Sequence, residues 1–335
     1  MRGALRPAQK SGIDSLNFLK RNPFTAFLLF AVVYHLLAIL HGWFVFDRLF
    51  ILVNEIAFSA KLFKNLFSFS YLLFFALILF LIYFRKSISI PEGFAAVLAI
   101  SVLTPAFAVF KSSMPIFWPF YADPFFAELD RLLHFGNDAY QLFVLTNFLP
   151  SGNILELFYG PIWLLVLFVA PALIGFFDAS APRKWRFVGM TLISWVVLGN
   201  VVAFLGLSAG PAFYDRIYGT ERFADFFTFF NAAGLNDTLV EESQAWLWDM
   251  HIQGKSWIGT GISAFPSVHV ATSCAIALYC WDVNRLLGIV GLIYLSIILM
   301  LSVLTGYHYA VDGYFSILVI WIFWRWHRNH QFKNS

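Results

Sequence analysis

The chain has 335 residues, 60% of them hydrophobic, 20% aromatic and only 12% charged, with a formal net charge of +3. A soluble domain is nearer about 45–50% apolar and about 25% charged, and a water-soluble fold of this size leaves too much surface to hide the excess. Lipid must solvate it, and basic residues that form no single stripe exclude a nucleic-acid surface.

Runs of about 20 apolar residues cross a bilayer as helices that satisfy their own backbone hydrogen bonds. Eight such runs lie near 24–43, 66–84, 92–110, 155–177, 186–208, 263–282, 286–305 and 309–326, predicting an all-α polytopic membrane protein. Arg2, Arg6, Lys10, Lys20 and Arg21 precede the first run. It is too long for a signal-peptide core and lacks an obvious small-residue cleavage site, so it is expected to remain as an anchor. The apolar stretch 49–60 is too short to span and reads as interfacial or re-entrant.

Further along, the segment 116–150 mixes acids, bases and aromatics as an amphipathic surface helix would. Its Asp123, Asp130, Arg131, His134 and Asp138 are expected to form a solvated face, with Lys111 nearby and able to reach a headgroup. The longest polar stretch, 208–262, places Trp246, Trp248 and Trp257 at an interface. His35 and His41 read as packing or interfacial residues, Asn200 as an interhelical hydrogen-bond partner. Cys274 and Cys280, six positions apart in one run, face different ways and predict neither a disulfide nor a zinc site.

Eight spans put both termini on one side. The loops and termini then assigned to the cytosol carry 14 of the 22 basic residues in short segments, as the positive-inside rule requires. No linker divides the chain.

Polar groups at membrane depth are costly and mark function by default. Three clusters meet the outer face in this topology. Phe265-Pro266-Ser267-Val268-His269 opens the sixth span. Proline suits a helix's first turn, and the amides of Ser267, Val268 and His269 would then form a phosphate cradle. Ser267 adds a hydroxyl donor and His269 a proton donor. Gly306-Tyr307-His308-Tyr309-Ala310-Val311-Asp312 opens the eighth span. Four residues apart on a helix, Asp312 can orient His308 as a nucleophile or base; a structural pair that caps the helix is the bland alternative. After the fifth span, the segment Ala209–Tyr218 offers Tyr214 and Arg216 as substrate contacts, guanidinium donors being suited to phosphate oxygens. No spacing specifies a metal site.

At these residues the chain resembles the type 2 phosphatidic acid phosphatase (PAP2) superfamily. Pro266-Ser267-Val268-His269 is similar to its Pro-Ser-Gly-His element, and His308 to Asp312 to its His-x3-Asp element, over roughly residues 90–327. The resemblance implies a six-helix core, 91–327, preceded by two accessory spans within 1–90 and followed by a cytosolic tail, 328–335. Within the superfamily, Phe265–His269, Tyr307–Asp312 and Gly210-Pro211 look closest to the branch containing inositol phosphorylceramide synthases. The implied chemistry is a phosphohistidine on His308, oriented by Asp312, with His269 protonating the departing alcohol and no metal or cofactor. The superfamily's arginine six positions before the nucleophile is Ser302 here, which favours a less charged phosphodiester donor. The expected activity is transfer of a phosphoryl group or phospho-headgroup between lipid alcohols. A lipid phosphate phosphatase and a transporter or lipid-binding scaffold with a degenerate site are the alternatives. The partners expected are phospholipid and lipid-alcohol substrates in a bacterial inner membrane or a eukaryotic Golgi-type membrane, with the site on the periplasmic or lumenal face.

Overall fold

A computed structural model describes residues 17–46, 88–145, 152–255 and 261–331, apart from 233 and 237. The predicted span 66–84, the stretch 49–60 and Trp257 lie outside the described residues. The described residues form helices and no strand. Five of the described helices are long and apolar enough to cross a membrane: Pro23–Val45 (α1), Ile90–Phe117 (α2), Ile154–Phe177, Ala181–Leu205 and Arg285–Leu304. Val268–Val283 is apolar but shorter, and Ala310–Gln331 closes the bundle. The full number of eight rests on hydropathy, since only part of that set is described.

The third of these spans is not regular throughout. Gly152–Leu157 (α5) passes through a π-helical turn, Phe158–Ile162, into Trp163–Phe177 (α6). Pro161 within that turn lacks an N–H, so the ladder widens where it would otherwise break. Ala181–Leu192 (α7) likewise continues through a π-helical stretch, Ile193–Val202, to Ala203–Leu205 (α8).

Small residues let the helices approach. A Cβ at Gly175 would stand 2.6 Å from the carbonyl oxygen of Glu92, and one at Gly291 2.8 Å from the Cα of Ala277. These contacts join α2 to α6 and Val268–Val283 (α12) to Arg285–Leu304 (α13). Such approaches supply the van der Waals packing that holds helices together where lipid removes the hydrophobic drive. Leu36, Leu40, Leu98, Leu165, Val290 and Ile293 point outward instead. Asn200 bonds the Tyr34 hydroxyl across helices. His35 and His41 join α1 to α2 through the Val102 carbonyl (3.0 Å) and the Ser113 hydroxyl (2.8 Å).

One end of the bundle is held by ion pairs. Glu92, on α2, accepts from the backbone N–H groups of Phe24 (3.1 Å) and Thr25 (3.0 Å) at the start of α1 and from Lys184 (3.2 Å) on α7. Arg183 pairs with Asp178, and Arg186 with Asp282. At the other end α1, α2 and α8 finish and α12 and Ala310–Gln331 (α14) begin. Short helices gather there: Asp123–Leu133 (α3), Ala139–Leu145 (α4), Pro211–Tyr218 (α9), Ala224–Ala232 (α10) and Leu239–Ile252 (α11).

The polarity of α3 is the reverse of that expected. Asp123, Asp130, His134 and Asp138 are buried, whereas Phe125, Leu132 and Phe135 are exposed. The acids turn inward because backbone donors wait there. Asp123 accepts from Ala209 N–H (2.7 Å) and Gly210 N–H (2.8 Å), and from the hydroxyls of Tyr309 (2.9 Å) and Tyr218 (3.4 Å). Asp130 accepts from Val311 N–H (3.1 Å) and Ala139 N–H (3.2 Å), and Asp138 pairs with Arg222 (2.5 Å). Apolar side chains facing outward beside a bilayer carry no penalty, so the usual solvated-face reading of an acidic helix fails here.

Candidate active site

The residues around His308 are placed by the starts of α12 and α14. Ser267, not Pro266, is the N-cap of α12, its hydroxyl accepting from Val270 N–H (3.4 Å). Pro266 therefore precedes the cap and does not occupy the first turn. The amide of Ser267 is engaged by the Asp312 carbonyl (3.4 Å), so it does not stand open as part of a phosphate cradle. The side chain of Ser267 is fully buried.

At the start of α14, Asp312 occupies the third helical position. One of its oxygens, Oδ2, accepts from Tyr309 N–H (3.0 Å) and lies 3.3 Å from Nδ1 of His308. The carboxylate thus caps the helix, as an acid at that position does, and orients the imidazole as well. Its second oxygen, Oδ1, is buried with no partner among the described residues. Asp312 is 0% exposed and His308 6%. Burial, and then the charge of Lys111, push the His308 imidazole down to about 3, the backbone of Ala264 opposing them. His308 is therefore neutral near pH 7, with Nδ1 beside Asp312 and the ring also hydrogen-bonded to the backbone of Ala264.

His308 opens on a cavity of about 500 Å³ that also includes Lys111 and His269. Lys111 reaches it from α2, half-buried beside Phe107, and its charge bears on both histidines. The remaining wall is largely apolar, with Phe213, Leu164 and Ile262 among its residues. Helix α11 covers one side through Val240, Trp246 and Leu247. It is tied to the base of the site by Gln244, donating to the Thr305 carbonyl (2.7 Å), and by the Tyr307 hydroxyl, donating to the Val240 carbonyl (3.3 Å). Glu156 sits in the cavity wall and accepts from Leu239 N–H (3.2 Å).

Four of the sequence-derived candidates, Ser267, Asp312, Arg216 and Tyr214, lie outside this lining. Arg216 is exposed, its guanidinium 5.6 Å from the Trp248 ring centroid. Tyr214 packs against Tyr218 and Phe223. Ser302, which stands where the superfamily has its arginine, is buried; its hydroxyl donates to the Leu299 carbonyl (2.7 Å) and its carbonyl accepts from His308 N–H (3.2 Å). Conversely, Tyr159 and Trp163 went unremarked in the sequence yet flank His269, with ring centroids 4.5 and 3.9 Å away. The only sequence signal for them is the Gly160-Pro161 pair inside an apolar span. Among the described residues no three His, Cys, Asp or Glu side chains converge as metal ligands.

Apolar helices of membrane-crossing length, closed at one end over a cavity lined by two histidines and a lysine, describe an integral membrane protein. The family model of the PAP2 superfamily matches residues 124–326. The match covers more than half of the chain, and the protein belongs to the PAP2 superfamily. Membership points to a function of the lipid phosphatase or phosphotransferase type. No curated protein and no solved structure matches the chain.

Proposed function

We propose that the protein is a lipid phosphotransferase that moves a phosphoryl group or phospho-headgroup from one lipid alcohol to another through phospho-His308. The observation that carries this reading is the convergence of His308, His269 and Lys111 on one cavity with largely apolar walls. Nε2 of His308 attacks phosphorus while the bond to the departing alkoxide breaks, and His269 delivers a proton to that oxygen. The acceptor alcohol then attacks phospho-His308 and gives its proton to His269, restoring both residues. Asp312 holds Nδ1 and balances the charge that develops on the ring, and Lys111 takes the phosphoryl oxygens in place of the arginine absent at Ser302. In this role an in-line displacement depends on positioning and charge, and no step calls on a metal.

A single lysine suits a phosphodiester better than a dianionic monoester. An apolar cavity covered by α11 suits a lipid acceptor better than water. Both features support, in this reading, a kinship with the branch that contains inositol phosphorylceramide synthases. The site then faces the periplasm or lumen with both termini cytosolic.

Purified wild-type and His308→Ala protein, incubated with a labelled phospholipid panel with and without lipid alcohols, test the reading. New phospholipid made by wild type only, and only with an acceptor present, is the expected result. Release of phosphate without a new lipid would assign the phosphatase reaction, and full activity in His308→Ala would remove histidine chemistry altogether.

A further inference from the structure

The ring of His269 lies in a column of aromatic rings. Trp163 stacks on it with ring centroids 3.9 Å apart at 30°, Tyr159 at 4.5 Å and 12°, and Tyr159 in turn parallels Tyr307 at 6.0 Å and 12°. All four rings line the cavity that holds His308. The arrangement depends on the π-helical turn Phe158–Ile162. With about 100° of rotation per residue in an α-helix and less in a π-helix, residues 159 and 163 come to lie one above the other on the side facing α12. Trp163 is then fastened. Its indole N–H donates to the Thr272 hydroxyl (3.2 Å), which itself donates to the carbonyls of Val268 (2.8 Å) and His269 (3.1 Å).

A half-buried histidine in a largely apolar cavity that must carry a proton faces a physical problem, because a cation withdrawn from water is costly unless compensated. No carboxylate is paired with the His269 ring among the described residues; Asp312 serves His308. What His269 has instead is ring faces, and the π-electron quadrupole attracts a cation placed over it. We propose that Trp163 and Tyr159 are positioning residues that clamp the His269 imidazole and support its protonated form, so that it can deliver a proton to the departing alcohol in an apolar site. The inference rests on the acid role given to His269 under the proposed function. It adds residues that do not touch the reacting atoms.

The test exploits leaving-group dependence. Dioctyl phosphate expels a poor alkoxide that needs a proton, whereas p-nitrophenyl octyl phosphate expels p-nitrophenolate, which does not. Trp163→Leu is expected to slow release of octanol from dioctyl phosphate on the order of 10–100-fold, a part of the roughly 10²–10⁴ that a positioned acid contributes, and to change release of p-nitrophenolate by less than about threefold. Trp163→Phe, which keeps a ring over His269, is expected to recover most of the rate. Equal slowing of both substrates would overturn the clamp and leave Trp163 a packing residue. Should Trp163→Leu fail to fold, Tyr159→Leu removes the opposite ring and is read by the same pair of substrates. His269→Ala distinguishes the two levels of inference: it must show the same selectivity more strongly. If it slows both substrates equally, or if wild type turns over neither, the acid role itself fails and the clamp fails with it.

Discussion

Truncation of Asp123 tests whether the end of the bundle that carries the cavity is held together as described. Its carboxylate is 0% exposed and accepts from two backbone amides and two tyrosine hydroxyls. In Asp123→Ala the amides of Ala209 and Gly210 lose their acceptor inside the protein. A buried donor left unsatisfied costs about 1–3 kcal/mol, so the pair costs about 2–6 kcal/mol before any loosening of the tyrosines is counted. At about 2 °C per kcal/mol for a chain of this size, the midpoint of thermal unfolding, followed by tryptophan fluorescence in detergent micelles, should fall by roughly 4–12 °C. Asp123→Asn retains one acceptor oxygen and should lose less. Glu128→Ala supplies the control, because that side chain is on the same helix and 74% exposed, where substitutions usually stay within about 0.5 kcal/mol. An Asp123→Ala protein that melts with Glu128→Ala would refute the assignment of these hydrogen bonds as a structural tie.

Asp312→Asn should fold, since the amide oxygen can still accept from Tyr309 N–H, yet lower the rate of phosphoenzyme formation on the order of 10²-fold or more by losing the charge that orients His308; rapid-quench labelling reads this directly. Lys111→Met should weaken inhibition by orthovanadate by roughly 10–100-fold, the equivalent of one charge-assisted hydrogen bond of about 1.5–3 kcal/mol, and Lys111→Arg should restore part of it. Because burial and Lys111 hold the His308 imidazole down to about 3, the nucleophile stays neutral as pH falls through the ordinary histidine range and is lost only as pH approaches that value. Single-turnover phosphoenzyme formation should therefore persist at pH 5, and an acid limb centred near 6.5 would contradict the burial of His308.

The helices and the reacting residues were legible in different ways. Apolar runs announce membrane helices because the backbone has no other way to be satisfied in lipid, and α1, α2, α12 and α13 stand within a few residues of the runs that predict them, although α2 extends seven residues past its run. His308 and Asp312 could be paired from spacing, since residues four apart share a helix face. The orientation of α3 could not be read that way. Acids that face the protein and acids that face water alternate with apolar residues identically, and only the partners at 209–210 and 311 decide between them. Tyr159 and Trp163 were hidden for a related reason. Aromatic residues in an apolar span look like lipid-facing surface, and the widened turn that aims them at His269 is a property of packing as much as of Pro161. Lys111 is separated from His269 by more than a hundred residues, so its place beside the histidines is a fact of tertiary structure.

The carboxylate of Glu92 has a consequence for where this protein can be divided. It is 1% exposed and completes the amino-terminal turn of α1 while meeting Lys184 from α7. Sequence similarity to the superfamily begins only at residue 124, which invites expression of a shortened chain. Cutting away α1 would turn an internal anion toward hydrocarbon and strip the cover from Phe24's partner Phe187. Cutting away α2 as well would remove Lys111 from the cavity and leave Lys184 with no counter-charge. The boundary of the family match and the smallest self-sufficient unit therefore do not coincide: the matched portion borrows both its mortar and a cavity-lining side chain from the helices in front of it.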